Sequence, residues 1–286
     1  VVRPDWLNQL YPFQSHFLKL RNNLSLHYLD EGKGEPMLML HGNPTWSFYY
    51  RNLVAEFSKS RRVVVPDHIG CGLSDKPQHY EYTLKQHIDN LEQLVLELKL
   101  KNFVLVVHDW GGAIGFGLLE RHPELVKKIV ILNTAAYTSE VIALRINICR
   151  IPILAEQVIR RLNGFALTAT YMAVAKKMSP EIRRGFLFPY DSYANRIATA
   201  KFVADIPMNP GHRSYQTLKN IELSLPKHKC PILILWGRKD FCFNDYFLNR
   251  WREIYPHAAI KTFENAGHYV LEDAGDEIIT EMKKFI

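Results

Sequence analysis

Apolar residues in this chain fall into short unbroken runs, separated by longer stretches where they recur every three or four positions. Residues 24–29, 36–40, 62–66, 103–107, 128–132, 231–236 and 259–263 are runs of strand length rich in Val, Ile and Leu. A strand covered on both faces needs such a run, because its successive side chains point to opposite sides. Residues 83–99 instead carry Leu91, Leu94, Val95 and Leu98 at helical spacing, and 113–120 predicts a buried helix. Strands alternating with helices imply an α/β fold with a mostly parallel central sheet and helices on both faces.

The alternation lapses over residues 137–212, where 141–167 and 202–210 offer helical or irregular material without a core strand. The expected organisation is therefore a core in two parts, 1–136 and 213–286, with a helical cap at 137–212. Such an insertion sits over the C-terminal strand ends, where open α/β sheets bind ligands. Within it Arg145, Arg150, Arg160 and Arg161 interleave with Ile and Leu. That pattern fits a helix lying on a membrane surface, but a cap packing its apolar side onto the core is the preferred expectation.

At 47% hydrophobic residues the chain can build a sizeable core. Its formal net charge of +7 is spread along the sequence in pairs such as Arg61-Arg62, Lys127-Lys128 and Lys176-Lys177, separated by apolar segments. This is not the basic stripe of a nucleic-acid binder; it reads as solubility with a mild bias toward anions. Cys71, Cys149, Cys230 and Cys242 lack the spacing of a zinc site or a disulfide framework, so neither a metal nor a cofactor is expected. The opening Val1-Val-Arg-Pro-Asp-Trp6 lacks the apolar core of a signal peptide, and no apolar run reaches membrane-span length. A cytoplasmic protein without an integral membrane segment is the expectation.

The candidate chemistry centres on Asp109, in Leu105-Val-Val-His-Asp-Trp-Gly-Gly112. An apolar strand enters a glycine-bearing turn and leaves as a helix, the pattern of a nucleophile elbow, here with a carboxylate at the apex. A carboxylate is ionised at neutral pH and needs no base to attack, but it is weak, so it suits carbon bearing a good leaving group. Asp240 follows the strand that ends at Trp236, and His268 follows the strand that ends at Phe263. Both then share the sheet edge of Asp109, in the chain order nucleophile, acid, histidine. His268 would activate water against an ester on Asp109, and Asp240 would orient the imidazole. The loop His41-Gly-Asn-Pro-Thr-Trp46 ends an early strand on that edge; its backbone and the Trp110 N–H would face the carbonyl of that ester. The Asn43 amide and Trp110 indole are neutral donors able to receive a leaving anion. Each residue has an ordinary alternative role, such as turn capping for Asp240 and Asn43 or core packing for Trp110; the joint placement favours a site.

The elbow His108-Asp109-Trp110-Gly111-Gly112, the loop His41-Gly42-Asn43-Pro44, the segment Pro66 to Pro77 and Gly267-His268 together resemble the haloalkane dehalogenase family of α/β-hydrolases, over nearly the whole chain. The resemblance implies cofactor-free hydrolysis of a carbon–halogen bond through an alkyl-enzyme ester. Asp109 would be nucleophile, His268 base, Asp240 acid, and Asn43 with Trp110 the halide pair. No tryptophan lies in 137–212, and 131–134 offers Asn133 but no carboxylate, which leaves the halide partner to Asn43 and the acid role to Asp240. Val107 departs from the generic elbow, where glycine is common.

One branch of the family resembles decarboxylases that open β-lactones in long-chain olefin biosynthesis, and residues 43–52 and 66–77 are similar to theirs too. The expected partner is thus a small apolar halogenated or lactone substrate, with dehalogenation favoured and self-association open. An epoxide hydrolase ranks third, with Tyr171, Tyr190 and Tyr193 as candidate ring-oxygen acids. A dinucleotide site fails, because the third glycine position after Gly70-Cys-Gly72 and Gly115-Phe-Gly117 is Asp75 or Glu120. A noncatalytic receptor is disfavoured by the intact triad.

Overall fold

The computed structural model describes residues 3–286. The opening Val1 and Val2 of the N-terminal segment read above lie outside the described residues. Among the described residues eight strands form one sheet: β1 His16–Lys19, β2 Ser25–Glu31, β3 Pro36–Leu40, β4 Arg62–Pro66, β5 Phe103–Val107, β6 Val126–Ile131, β7 Ile232–Gly237 and β8 Ala259–Phe263. Their order is β1-β2-β4-β3-β5-β6-β7-β8, with β1–β2 and β2–β4 antiparallel and every other pair parallel.

Residues along the central strands divide cleanly between two cores. Leu38, Leu40, Leu105, Val107, Ile129 and Ile131 pack on one face, beneath helices Leu84–Glu97 and Trp110–Arg121. Met37, Met39, Val104, Val106 and Val130 pack on the other, beneath Arg51–Phe57 and Val270–Phe285. This is the two-residue period of a strand covered on both sides, and it explains why those runs are apolar throughout. Thr83 starts its helix by accepting the Gln86 N–H at 3.2 Å, as a hydroxyl at an N-terminal cap should.

β1 is absent from the periodicity reading. It is a four-residue edge strand whose Phe17 points to solvent, and it forms a hairpin on β2 through a turn at Asn23, where φ is +64°. An edge strand this short needs no apolar face, so only its Asn22-Asn23 turn pair gives it away.

Between β6 and β7 the chain carries helices and no strand. Up to residue 212 the α-helices are short pieces, Leu144–Cys149, Pro152–Leu154, Gly164–Met172, Pro180–Leu187 and Ile197–Ala204, with a π-helical stretch at Ala155–Arg161; Tyr215–Ser224 follows before β7. The expectation that 141–167 turns its apolar side to the core is corrected here: Leu144, Ile148, Ile151, Ile153 and Leu162 face solvent, and Ala155, Ile159 and Ala166 are buried instead. Before the π stretch the chain is broken into helices of six and three residues, so no continuous stripe carries these apolar residues to one buried face.

Candidate active site

β5 ends at Val107, and the helix Trp110–Arg121 begins three residues later. Between them Asp109 takes φ +50° and ψ −126°, a backbone conformation that side-chain-bearing residues rarely adopt. Its surroundings hold it there. The Asp109 N–H donates to the Asn133 carbonyl at 3.0 Å, and the Gly112 N–H donates to the Asp109 carbonyl at 2.9 Å. The Thr134 hydroxyl donates to the same carbonyl. Val107 is tolerated because the helix offers Gly115 opposite it, where an added Cβ would lie 2.8 Å from the valine methyl.

The loop after β3 approaches Asp109 so closely that a Cβ on Gly42 would stand 2.0 Å from Oδ1. That contact lets the Asn43 N–H donate to Asp109 Oδ1 at 2.7 Å, while the Trp110 N–H also reaches the carboxylate. Burial pushes the Asp109 carboxyl above its ordinary value, against the opposing pull of the His268 charge and these two N–H groups.

His268 stands after β8 with Nε2 3.6 Å from Asp109 Oδ2 and Nδ1 2.8 Å from Asp240 Oδ2. Burial alone would push the imidazole down, but the charge and hydrogen bond of Asp240, with the charge of Asp109, raise it above the ordinary histidine value. Asp240 Oδ1 accepts the Cys242 N–H at 2.6 Å, which fixes the carboxylate plane. The structure thus brings Asp109, His268 and Asp240 together at the C-terminal ends of β5, β8 and β7.

Asn43 and Trp110 line one cavity with Asp109 and His268. The cavity measures about 230 Å³, and its other walls are chiefly apolar, from Leu84, Ile146, Phe165, Val203, Leu218 and Phe243 among others. Of the tryptophans, Trp46 donates to the Gly185 carbonyl at 3.1 Å and Trp251 to the Thr134 carbonyl at 2.8 Å, so both serve the framework. Trp110 packs edge-on to Phe202 at 5.2 Å and lines the cavity. The Asn43 amide donates one hydrogen to the Thr199 carbonyl at 3.1 Å, which anchors the side chain and leaves the other for a ligand.

The three tyrosines weighed for epoxide opening lie off this cavity. Tyr190 is buried and donates to the Thr45 carbonyl at 3.2 Å. Tyr171 lies under Arg183 and Tyr193 under Arg160, with the guanidinium carbons 4.7 Å and 3.8 Å from the ring centres.

Several residues that hold the site escaped the sequence reading of roles. Asn133 bridges both backbone groups of Gly237, accepting its N–H at 2.8 Å and donating to its carbonyl at 3.0 Å, which ties the end of β6 to β7. His108 Nε2 lies 2.9 Å from the His268 carbonyl, and Phe243 stacks on the His268 ring at 5.7 Å. Asp273 is buried and accepts the N–H groups of Gly267, Ala175 and Lys176 at 2.7, 2.8 and 2.8 Å. It therefore joins the His268 loop to the inserted helical segment. Asp67, after β4, accepts the Ser47 N–H at 2.7 Å and the Leu73 N–H at 2.8 Å, with His27 Nδ1 at 2.8 Å. That knot fastens the segment 66–77 to the Asn43 loop. A buried carboxylate looks like any loop aspartate until its partners are known.

The sheet order, the elbow and the residues gathered along its edge define an α/β-hydrolase. The chain belongs to the alpha/beta hydrolase fold family, whose model matches residues 35–275. Within that family its relatives belong to the branch that holds haloalkane dehalogenases and oxetan-2-one decarboxylases. It is 51% identical to the cis-3-alkyl-4-alkyloxetan-2-one decarboxylase of Shewanella oneidensis, over 98% of this chain and 90% of that protein. Identity to haloalkane dehalogenase 2 of Mycobacterium bovis is 29%, over 94% of each chain. A haloalkane dehalogenase structure from Bradyrhizobium elkani superposes with a TM-score of 0.87 at 24% identity, covering 96% of this chain and 97% of that one, a likeness of fold.

Proposed function

We propose that this protein is an enzyme in which the Asp109 carboxylate attacks carbon, and that its substrate is a β-lactone carrying alkyl chains, which it decarboxylates to an alkene. The observation that carries the reading is the state of Asp109: one oxygen is held by the Asn43 N–H, and the other is left toward His268 on an apolar cavity. The lactone is favoured over a haloalkane by the 51% identity to an oxetan-2-one decarboxylase, an oxetan-2-one being a β-lactone.

In this reading Asp109 Oδ2 bonds to the ring carbon that bears the ring oxygen, and that carbon–oxygen bond breaks with its electron pair. The ring oxygen becomes part of a carboxylate, received by the Asn43 and Trp110 donors. The carbon–carboxylate bond then breaks; its electrons form the alkene, the ester bond to Asp109 opens, and CO₂ leaves. Asp109 is regenerated without water. The apolar walls accept the alkyl arms, and the N–H groups of Asn43 and Trp110 favour departure of Asp109 as an anion. Residues 137–212 act as the cap that shapes this cavity.

A second reading, haloalkane dehalogenation, is favoured by the His268 geometry. With a halide as leaving group the ester on Asp109 has no carboxylate to lose, so water must attack its carbonyl. His268 would take the water's proton, with Asp240 at 2.8 Å stabilising the imidazolium. Both activities are tested by following bromide release from a terminal bromoalkane in parallel with CO₂ release from a cis-3,4-dialkyl β-lactone. Lactone turnover that is lost in Asp109→Asn supports the first reading; bromide release with an untouched lactone replaces it by the second.

A further inference from the structure

The helical segment between β6 and β7 turns an apolar face to solvent. Leu144, Ile153 and Leu162 are 73%, 73% and 71% exposed, and Ile148, Ile151 and Leu167 lie open beside them. Exposed apolar side chains are ordinary singly, but a cluster of this density in one short segment marks a surface that something covers.

Two observations say what covers it. The first is position: Val141, Arg145, Thr168 and Met172 are exposed and also line the Asp109 cavity, so the cavity opens through this face. Arg145 Nη1 lies 3.9 Å from Met172 Sδ, which joins the two helices at the opening. The second is charge. Residues 139–177 carry Arg145, Arg150, Arg160, Arg161, Lys176 and Lys177 against Glu140 and Glu156 alone; Arg160 is buried and holds Glu156 at 3.3 Å, and Lys176 donates to the Asp273 carbonyl, which leaves Arg145, Arg150, Arg161 and Lys177 without a carboxylate partner among the described residues. A second copy of the chain would bring cations against cations, which disfavours self-pairing through this face. Apolar side chains among unneutralised Arg and Lys match the acyl boundary and headgroups of an anionic bilayer.

We propose that this face docks the cavity mouth onto an anionic lipid surface, so that an apolar substrate passes from the acyl layer into the cavity without crossing water. The passage of substrate rests on the function proposed above; the docking does not.

The test is flotation of the purified full chain with vesicles of phosphatidylcholine alone or mixed with phosphatidylglycerol, at low and high salt. The expected result is binding to the mixed vesicles, weakened roughly tenfold by high salt and by Arg150→Gln/Arg161→Gln. Leu144→Ser/Ile153→Ser/Leu162→Ser, verified as folded by circular dichroism, abolishes flotation while turnover of a short water-soluble substrate stays at the wild-type level. Wild-type protein that floats with neither vesicle overturns the proposal, as does equal flotation with both. A dimer seen by light scattering, split by the apolar triple variant and without flotation, assigns the face to a second copy and likewise overturns it. Flotation of a protein inactive on the lactone upholds the docking while the proposed function fails.

Discussion

The edge of the sheet and the helical segment above it are built on opposite terms. At the edge every candidate side chain leaves the end of a strand whose register is set by two packed cores; Asp240 and His268 are buried, Asp109 is partly buried, and all three are bonded. Above it the chain breaks into short helices, a π stretch and exposed Leu and Ile. Under the proposed function, the contrast teaches that the reaction is specified where backbone position is over-determined, and the substrate is selected where it is not. Loop-like elements adapt at little cost to the core, while a carboxylate held at φ +50° persists only because its neighbours leave it no alternative.

The sharpest way to break that comparison is Asp109→Asn. It should lower turnover of lactone and bromoalkane alike by roughly 10⁴-fold or more, measured as CO₂ and bromide release. Comparable residual activity on either substrate would remove Asp109 from the chemistry.

His268→Ala separates the two reactions. With a bromoalkane the variant should stop after one turnover, about 10³-fold down, with the alkyl ester visible by intact mass. Lactone decarboxylation, which needs no water, should fall by less than about tenfold. An equal collapse on both substrates would sink the water-free route. The pH profiles follow the same division. His268 must be neutral to accept a proton and is raised above the ordinary histidine value, so bromide release should decline with falling pH at a correspondingly higher pH. On the proposed water-free route lactone turnover needs only ionised Asp109, itself raised from the carboxylate range, and should persist further into acid.

Asp273 links the two regions. Asp273→Asn replaces an acceptor of three N–H groups by one that must turn a donor toward them, at a cost of about 2 kcal/mol in stability. Thermal melting should show it, with turnover down roughly tenfold as the His268 loop loosens. Unchanged melting and turnover would make the link incidental.

Ile146→Ala, in the cavity wall, should be the mildest change. It should shift chain-length preference by roughly tenfold toward longer arms, with kcat for the preferred length preserved, since one or two methylenes in a pocket carry about 1–3 kcal/mol. A loss of kcat at every chain length would place the segment in the chemistry and erase the distinction between the two regions.

What could be read from the residues follows the same boundary. Seven strands, the elbow and the placement of Asp109, Asp240 and His268 along one sheet edge were legible because strand burial imposes an apolar run and these candidate side chains follow the ends of those runs. β1 was not, since an edge strand of four residues carries no such demand. The apolar residues of 141–167 were misplaced because periodicity assumes one regular helix, whereas the segment is broken into Leu144–Cys149, Pro152–Leu154 and the π turn at Ala155–Arg161. The supports Asn133 and Asp67, in loops, and Asp273, in the first turn of the C-terminal helix, are not marked by the sequence pattern, because each ties in a segment 104, 20 and 98 positions away respectively.

By itself, then, the sequence determined the α/β architecture and which candidate groups stand at the C-terminal edge of its sheet, because hydrophobic periodicity and turn chemistry are local and repeat with the geometry of the backbone. Only the tertiary structure decided that Oδ1 of Asp109 is held while Oδ2 faces His268, that Trp110 lines a cavity to which Trp46 and Trp251 do not belong, and that the exposed Val141, Arg145, Thr168 and Met172 line that same cavity. Those are relations between segments far apart in the chain, set by packing and by the need to pair every buried polar group, and no local pattern encodes them.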